Sequence, residues 1–259
     1  MSNSKISLAG ICLSFFMLWA PLGQYNFLVE NWMKLGIYGA PFLLFMFFAS
    51  RIQETESVLS DIKLMSVLML VAYIVHQYEE HWIDLLGNQY AFYGYINELI
   101  LSVLDAQNSS AMPLTPESIF VINTSLVWLI GAIAIWRSPN HLFPALSMAG
   151  IILVNAASHI MAGIVKQSYN PGLLTAIVIF VPLAIAFYRH ILITTPTASV
   201  QVKVSIVWAV LAHVIMIGGL LAANWFKLFP EYIYFVMLIL WSIIPAFLFN
   251  SPAKVAQQA

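Results

Sequence analysis

Leu64-Met65-Ser66-Val67-Leu68-Met69-Leu70-Val71-Ala72-Tyr73-Ile74-Val75 runs directly into His76-Gln77-Tyr78-Glu79-Glu80-His81. The first twelve residues are apolar enough to lie in hydrocarbon. The next six bring two adjacent carboxylates and two histidines to the end of that run. Ionisable groups at membrane depth are costly to place and mark a pathway or a site. The stretch therefore reads as a membrane helix with a built site at one end.

The rest of the composition agrees. Hydrophobic residues make up 61% of the 259 and charged residues only 8%, with a mean hydropathy of +0.88. Soluble domains carry about a quarter charged residues, so the chain is an integral membrane protein. The net charge is −1, without a basic cluster, and nucleic acid is not a partner. The single cysteine, Cys12, excludes an intrachain disulfide. No internal repeat or soluble domain stands out, and residues 1–259 read as one membrane domain.

A transmembrane helix needs about 20 mostly apolar residues, which gives an all-α, polytopic bundle of about eight spans. They fall near 6–23, 35–50, 64–86, 118–136, 142–164, 172–193, 203–224 and 232–249. The first is kept as a span because no small-x-small cleavage site follows at Trp19-Ala20-Pro21. In this arrangement Lys5, Arg51, Lys63, Arg137, Arg189, Lys203 and Lys254 share one side, opposite Lys34, Lys166 and Lys227. The positive-inside rule then puts both termini in the cytoplasm, with Asn250-Ser251-Pro252 ending the last helix before Lys254. The connection 87–117 lacks Lys and Arg and lies outside. Within it, 90–105 is too short to span and reads as an interfacial or re-entrant helix with Glu98 in its middle. Asn108-Ser109-Ser110 matches a glycosylation sequon by pattern, and Thr115 with Glu117 supplies helix-start chemistry.

The fifth span carries Asn155 and His159, and Tyr169-Asn170-Pro171-Gly172 opens the sixth. Asn170 as cap and Pro171 as first helical residue are a start signal, and Gly172 permits a close approach to the backbone. Spans three and five both run outward, so the His76 stretch, His159 and Pro171 gather in the outer leaflet.

Together these motifs resemble the HXXEE-domain family of membrane proteins. The naming motif is His76-Gln77-Tyr78-Glu79-Glu80. Asn155-Ala156-Ala157-Ser158-His159 is similar to the family's Asn-Ala-X-X-His, and Tyr169-Asn170-Pro171-Gly172 to its Tyr-X-Pro-Gly. The resemblance covers approximately 65–195 and implies an intramembrane metal-dependent enzyme without fixing its reaction.

Helical geometry sharpens the site. His76 and Glu80 lie within about 40° of each other, Glu79 lies about 60° to the other side, and His81 points about 140° away. The expected ligands are His76, Glu80 and His159, holding a divalent ion, zinc before iron. Glu79 is expected as the base or an additional ligand, the sequence not fixing which glutamate takes which role, and Tyr169 with the helix start at Pro171 is expected to stabilise developing negative charge. Asn155, Glu98, Asn170 and Gly172 are placed around the ligands. His81 is read as interfacial, so His81→Ala keeps the metal while His76→Ala and His159→Ala lose it. His213 is read as a hydrogen-bonded packing residue.

The leading function is a hydrolase acting on a lipid or lipophilic substrate with metal-activated water. A dimetal iron oxidase or hydroxylase, drawing on His76, His81, His159, Glu79, Glu80 and Glu98, is the first alternative. Six histidines are too few for the histidine-rich desaturase type. A proton-coupled transporter using His76, Glu79 and Glu80 is the second alternative. A haem cytochrome leaves the double glutamate unexplained.

Overall fold

The structure is a computed structural model that describes residues 25–50, 57–106, 109, 112–138 and 140–249. The expected span 6–23, Cys12, Lys5, Arg51, Lys254 and the Asn250-Ser251-Pro252 helix end lie outside the described residues. The sequon lies outside them apart from Ser109.

All regular structure among the described residues is helical. The helices are α1 (Tyr25–Ser50), α2 (Ile62–His81) and α3 (Ala91–Val103). They continue as α4 (Pro116–Arg137), α5 (Phe143–Lys166), α6 (Leu173–Thr194), α7 (Pro196–Trp225) and α8 (Glu231–Ala246). By length and composition α4, α5, α6 and α7 are each able to cross a membrane, and α8 is a shorter apolar helix. Among the described residues the expected all-helical bundle forms, with four helices long and apolar enough to cross a membrane.

The bundle is organised around α5, which packs against α7, α4, α6 and α2. Its first ten residues, 143–152, are all buried. At Gly150 a side chain would meet the Ser205 carbonyl at 2.9 Å, so this glycine sets how closely α5 and α7 approach. Tyr188 seals the same contact by donating to the Leu146 carbonyl at 2.9 Å.

Helix boundaries differ from the sequence reading, most at the start of α1, the end of α2 and the start of α7, which begins at Pro196 and not near 203. Residues 25–34 belong to α1 and are not a loop, because Leu28, Val29, Trp32 and Met33 form a buried stripe on it. Lys34 is consequently a helical residue. α2 ends at His81, well before 86, where the chain turns sharply through Gly87 and Tyr90, both at positive φ. Asp84 holds that turn by accepting from the backbone N–H groups of Leu86 and Asn88. The short helix α3 forms as expected. Buried Asn97 ties it to the segment before α4, exchanging two hydrogen bonds with the Leu114 backbone. Thr115 caps α4 by accepting from the Ser118 N–H, also as expected.

Three helices contain a π-helical turn, at Thr124–Leu129, Ala176–Phe180 and Leu221–Trp225. The first follows Asn123 and the second follows Thr175, both of which serve the site described next. Local π turns of this kind recur at functional sites because they reposition side chains within a helix.

Candidate metal centre

His76 and Glu80 project from the last turns of α2, and His159 from the C-terminal half of α5. All three are buried. One donor atom from each lies within 4.8 Å of the others, the only such group of three or more among the described residues. His76 Nε2 is 3.5 Å from Glu80 Oε2, and His159 Nε2 is 3.3 Å from Glu80 Oε1. Donors at about 2.0–2.2 Å from a tetrahedral zinc ion stand about 3.4 Å from one another. The two histidine–carboxylate distances are close to that value, and the three residues are near enough to share one small cation.

Hydrogen bonds at the far side of each ring decide what these nitrogens present. Asn170 donates through Nδ2 to the His159 backbone carbonyl at 3.0 Å, which fixes its amide orientation. Its Oδ1, 2.7 Å from His159 Nδ1, must then accept, so His159 carries its proton on Nδ1. The Thr175 hydroxyl donates to Glu79 and sits 2.8 Å from His76 Nδ1. Its proton is thereby committed, and His76 also donates through Nδ1. His76 Nε2 is left buried with no hydrogen-bond partner. With Nδ1 donating, Nε2 is the atom each imidazole turns toward the Glu80 carboxylate, and a neutral ring presents a lone pair there. Ligating histidines are characteristically held in this way, with the second ring nitrogen donating to a neighbour.

Gly172 makes the arrangement possible. It has φ +91°, and a side chain there would come within 2.7 Å of His76 Cε1 and 2.8 Å of His159 Cε1. The close approach expected at this glycine is made by the two imidazole rings. Phe180 covers His76 from the π turn, with ring centroids 4.4 Å apart.

Other expected site residues take different places. Glu79 sits behind His76, joined to it through the Thr175 hydroxyl, and holds the start of α6. It accepts from the N–H groups of Leu174 and Thr175, at 3.1 and 2.8 Å, and from Tyr169 Oη at 2.9 Å. The helix begins at Leu173 with Gly172, not Asn170, in the cap position. Its free N–H groups and the Tyr169 hydroxyl are therefore engaged by Glu79 and are not directed at a substrate. Tyr169 lies in the loop; burial, reinforced by Glu79, raises its pKa above the usual range and keeps it a donor. Glu98 is exposed; its helical neighbour Asn97 is the buried one. Asn155 has an amide oxygen that is buried without a partner, one turn from His159. His213 contacts the Ala209 carbonyl through Nδ1 at 2.9 Å and lines the cavity beside the cluster.

His81 corrects the helix-face argument. It is buried, with Nε2 3.0 Å from Glu80 Oε2. Backbone azimuth put it on another face, but the Glu80 side chain is long enough to reach between His76 and His81. A second chain of amides orients it. Trp128 Nε1 donates to Gln77 Oε1, Gln77 Nε2 to Asn123 Oδ1, and Asn123 Nδ2 lies 3.1 Å from His81 Nε2. Thr175, Gln77, Asn123 and Trp128 were not anticipated from sequence. A lone hydroxyl in the first turn of an apolar helix and two buried amides were the available signals.

The fold and cluster together define a helical membrane protein with a buried His-Glu-His centre. The family model described as "Protein of unknown function with HXXEE motif" matches residues 67–187, and the chain carries that family's region. No curated protein and no solved structure matches it.

Proposed function

We propose that the chain is an intramembrane metal-dependent hydrolase of a lipophilic substrate, with His76, Glu80 and His159 as ligands to a divalent ion, zinc by preference. The observation that carries this reading is the convergence of two imidazole Nε2 atoms on one buried carboxylate, with one donor from each residue within 4.8 Å of the others. Three protein ligands match the open coordination of catalytic zinc, which keeps a position for water or substrate. A divalent ion bound there supplies Lewis acidity and makes its water a nucleophile near neutral pH.

The protein's own groups do the remaining work. Thr175 and Asn170 hold the two imidazoles in their ligating tautomers. His81, beside Glu80 and facing the cavity, is the group placed to receive a proton, a role the sequence gives to Glu79. Phe92, Ile96 and Leu126 line that cavity and suit an apolar substrate. The dimetal reading lacks carboxylates here, since Glu98 is exposed and Glu79 is engaged at the helix start. Lys63, Arg137, Arg189 and Lys203 lie at the bundle end opposite the cluster, which supports a site in the outer leaflet.

The test is elemental analysis of detergent-purified protein prepared without chelator, with His76→Ala as control. Near-stoichiometric zinc lost in the variant is the expected result, followed by screening on lipid esters and amides. Two irons per chain favour the oxidase, and no specific metal overturns the enzyme reading in favour of a carrier.

A further inference from the structure

Two cavities meet beside the metal centre, and their chemistry differs. The first, about 420 Å³, lies between α1, the end of α2, α3 and the start of α4; Glu30, Asn31, Lys34, Tyr90 and Tyr93 are among its walls. The second, about 260 Å³, is walled mainly by apolar side chains such as Phe92, Ile96, Leu126 and Met216, and Glu80 and His159 face it. His81 and Ile119 belong to both walls and form the partition. Trp32 and Phe92 flank the His81 ring, with centroids 5.2 and 4.8 Å away.

The polar cavity carries both signs of charge. Glu30 and Lys34 stand one turn apart on α1, about 6 Å along its axis. Lys34 does not turn to Glu30. Its Nζ donates to Asn31 Oδ1 at 3.1 Å and lies 5.3 Å from the Trp82 ring and 5.9 Å from the Tyr90 ring. A lysine among Trp and Tyr rings is characteristic of headgroup depth. The cavity thus offers an ammonium to an anion, and a carboxylate with aromatic faces to a cation. A zwitterion answers both, whereas a purely anionic head meets Glu30 as a like charge. The apolar cavity is smaller than the roughly 300–1,000 Å³ of sites for drug-sized ligands, which suits one hydrocarbon chain better than two.

Resting on the metal-centre reading for its chemistry, we infer that the substrate is a single-chain zwitterionic amphiphile. Its head lies between Glu30 and Lys34 and its chain in the apolar cavity. The linkage between them crosses the partition at His81, next to Glu80. A chain threading through displaces the Ile119 side chain and leaves His81 beside Glu80. At an ester linkage, the water oxygen bonds to the acyl carbon as the acyl C–O bond breaks. One water proton passes to the leaving alkoxide, giving a fatty acid in the apolar cavity and the head alcohol in the polar one.

Native mass spectrometry of the full chain in maltoside, titrated with lauroyl lysophosphatidylcholine and with neutral lauroyl glycerol, tests this. One lysolipid per chain, bound about tenfold or more tighter than the neutral lipid, is expected. Lys34→Gln and Glu30→Gln each erase most of that preference while leaving lauroyl glycerol binding unchanged. Met216→Trp weakens both lipids, and Ile96→Phe serves if that variant does not fold. Equal binding of the two lipids, or insensitivity to filling the apolar cavity, overturns the inference. His76→Ala separates it from the metal reading: the variant loses the ion yet keeps the lipid preference. Wild-type protein showing the preference without metal overturns the metal centre alone, and metal without the preference overturns the substrate alone.

Discussion

At the residue scale, two small side chains govern the two imidazoles. Thr175 is one atom of contact between His76 and Glu79, yet it decides which ring nitrogen faces the cluster. Removing such a partner typically costs 10–100-fold in metal affinity, so Thr175→Val is expected to weaken zinc binding by about that factor while Thr175→Ser retains it. Competition against a calibrated chelator reads both. His81→Ala, which the helix-face argument leaves harmless, is now expected to weaken binding comparably through Glu80. Gly172→Ala combines positive φ with a collision against both rings, and backbone strain of this kind alone costs about 1–3 kcal/mol. Its thermal midpoint in detergent should fall and its zinc should be lost together. His76, Glu80 and His159 were legible in the sequence because charge in an apolar run is conspicuous. Thr175 and Asn123 were not, because a hydroxyl or amide reveals its partner only once helices distant in sequence are brought together.

Among the elements, the α2–α6 contact is the joint of the site. Glu79 closes the start of α6 from another helix, so its carboxylate replaces a local cap that the sequence seemed to supply through Asn170. Helical azimuth puts Glu79 on one face with His76 and Glu80, about 60° to the other side of His76, and packing divides that face between α5 and α6. What that face meets depends on packing, which helical periodicity does not contain. A dissociation of roles follows. Glu79→Ala leaves the Leu174 and Thr175 N–H groups without their acceptor, at about 1–3 kcal/mol for each buried donor. It should lower the thermal midpoint strongly even in metal-free protein. Glu80→Ala should abolish metal binding with a smaller effect on the metal-free midpoint. Equal behaviour of the two variants would show that the two roles are not distinct. The helix ends proved hardest to read: α1 begins ten residues earlier than hydropathy suggests, and α2 stops five earlier.

For the whole molecule, hydropathy was sufficient to give a helical membrane bundle, since every apolar run of adequate length had to bury its backbone polar groups in a helix. Sidedness rests on charge, and it can be measured. In protein lacking Cys12, a cysteine at Ser168 should react with an impermeant maleimide added to intact cells. One at Thr195, at the opposite bundle end, should react only after permeabilisation. The reverse pattern would invert the orientation and move the metal centre to the cytoplasmic leaflet.

Gly172 and the residues that grip the histidines all fall within the matched region 67–187, together with the ligands themselves. The charged walls of the polar cavity, Glu30 and Lys34 on α1, come from beyond it, whereas the apolar cavity is walled mostly from within, with Met216 of α7 added from outside. The candidate metal ligands and the charged pair of the polar cavity therefore lie on separate pieces of chain. Hybrids that swap α1 alone should carry head preference with them while metal binding stays with the central region.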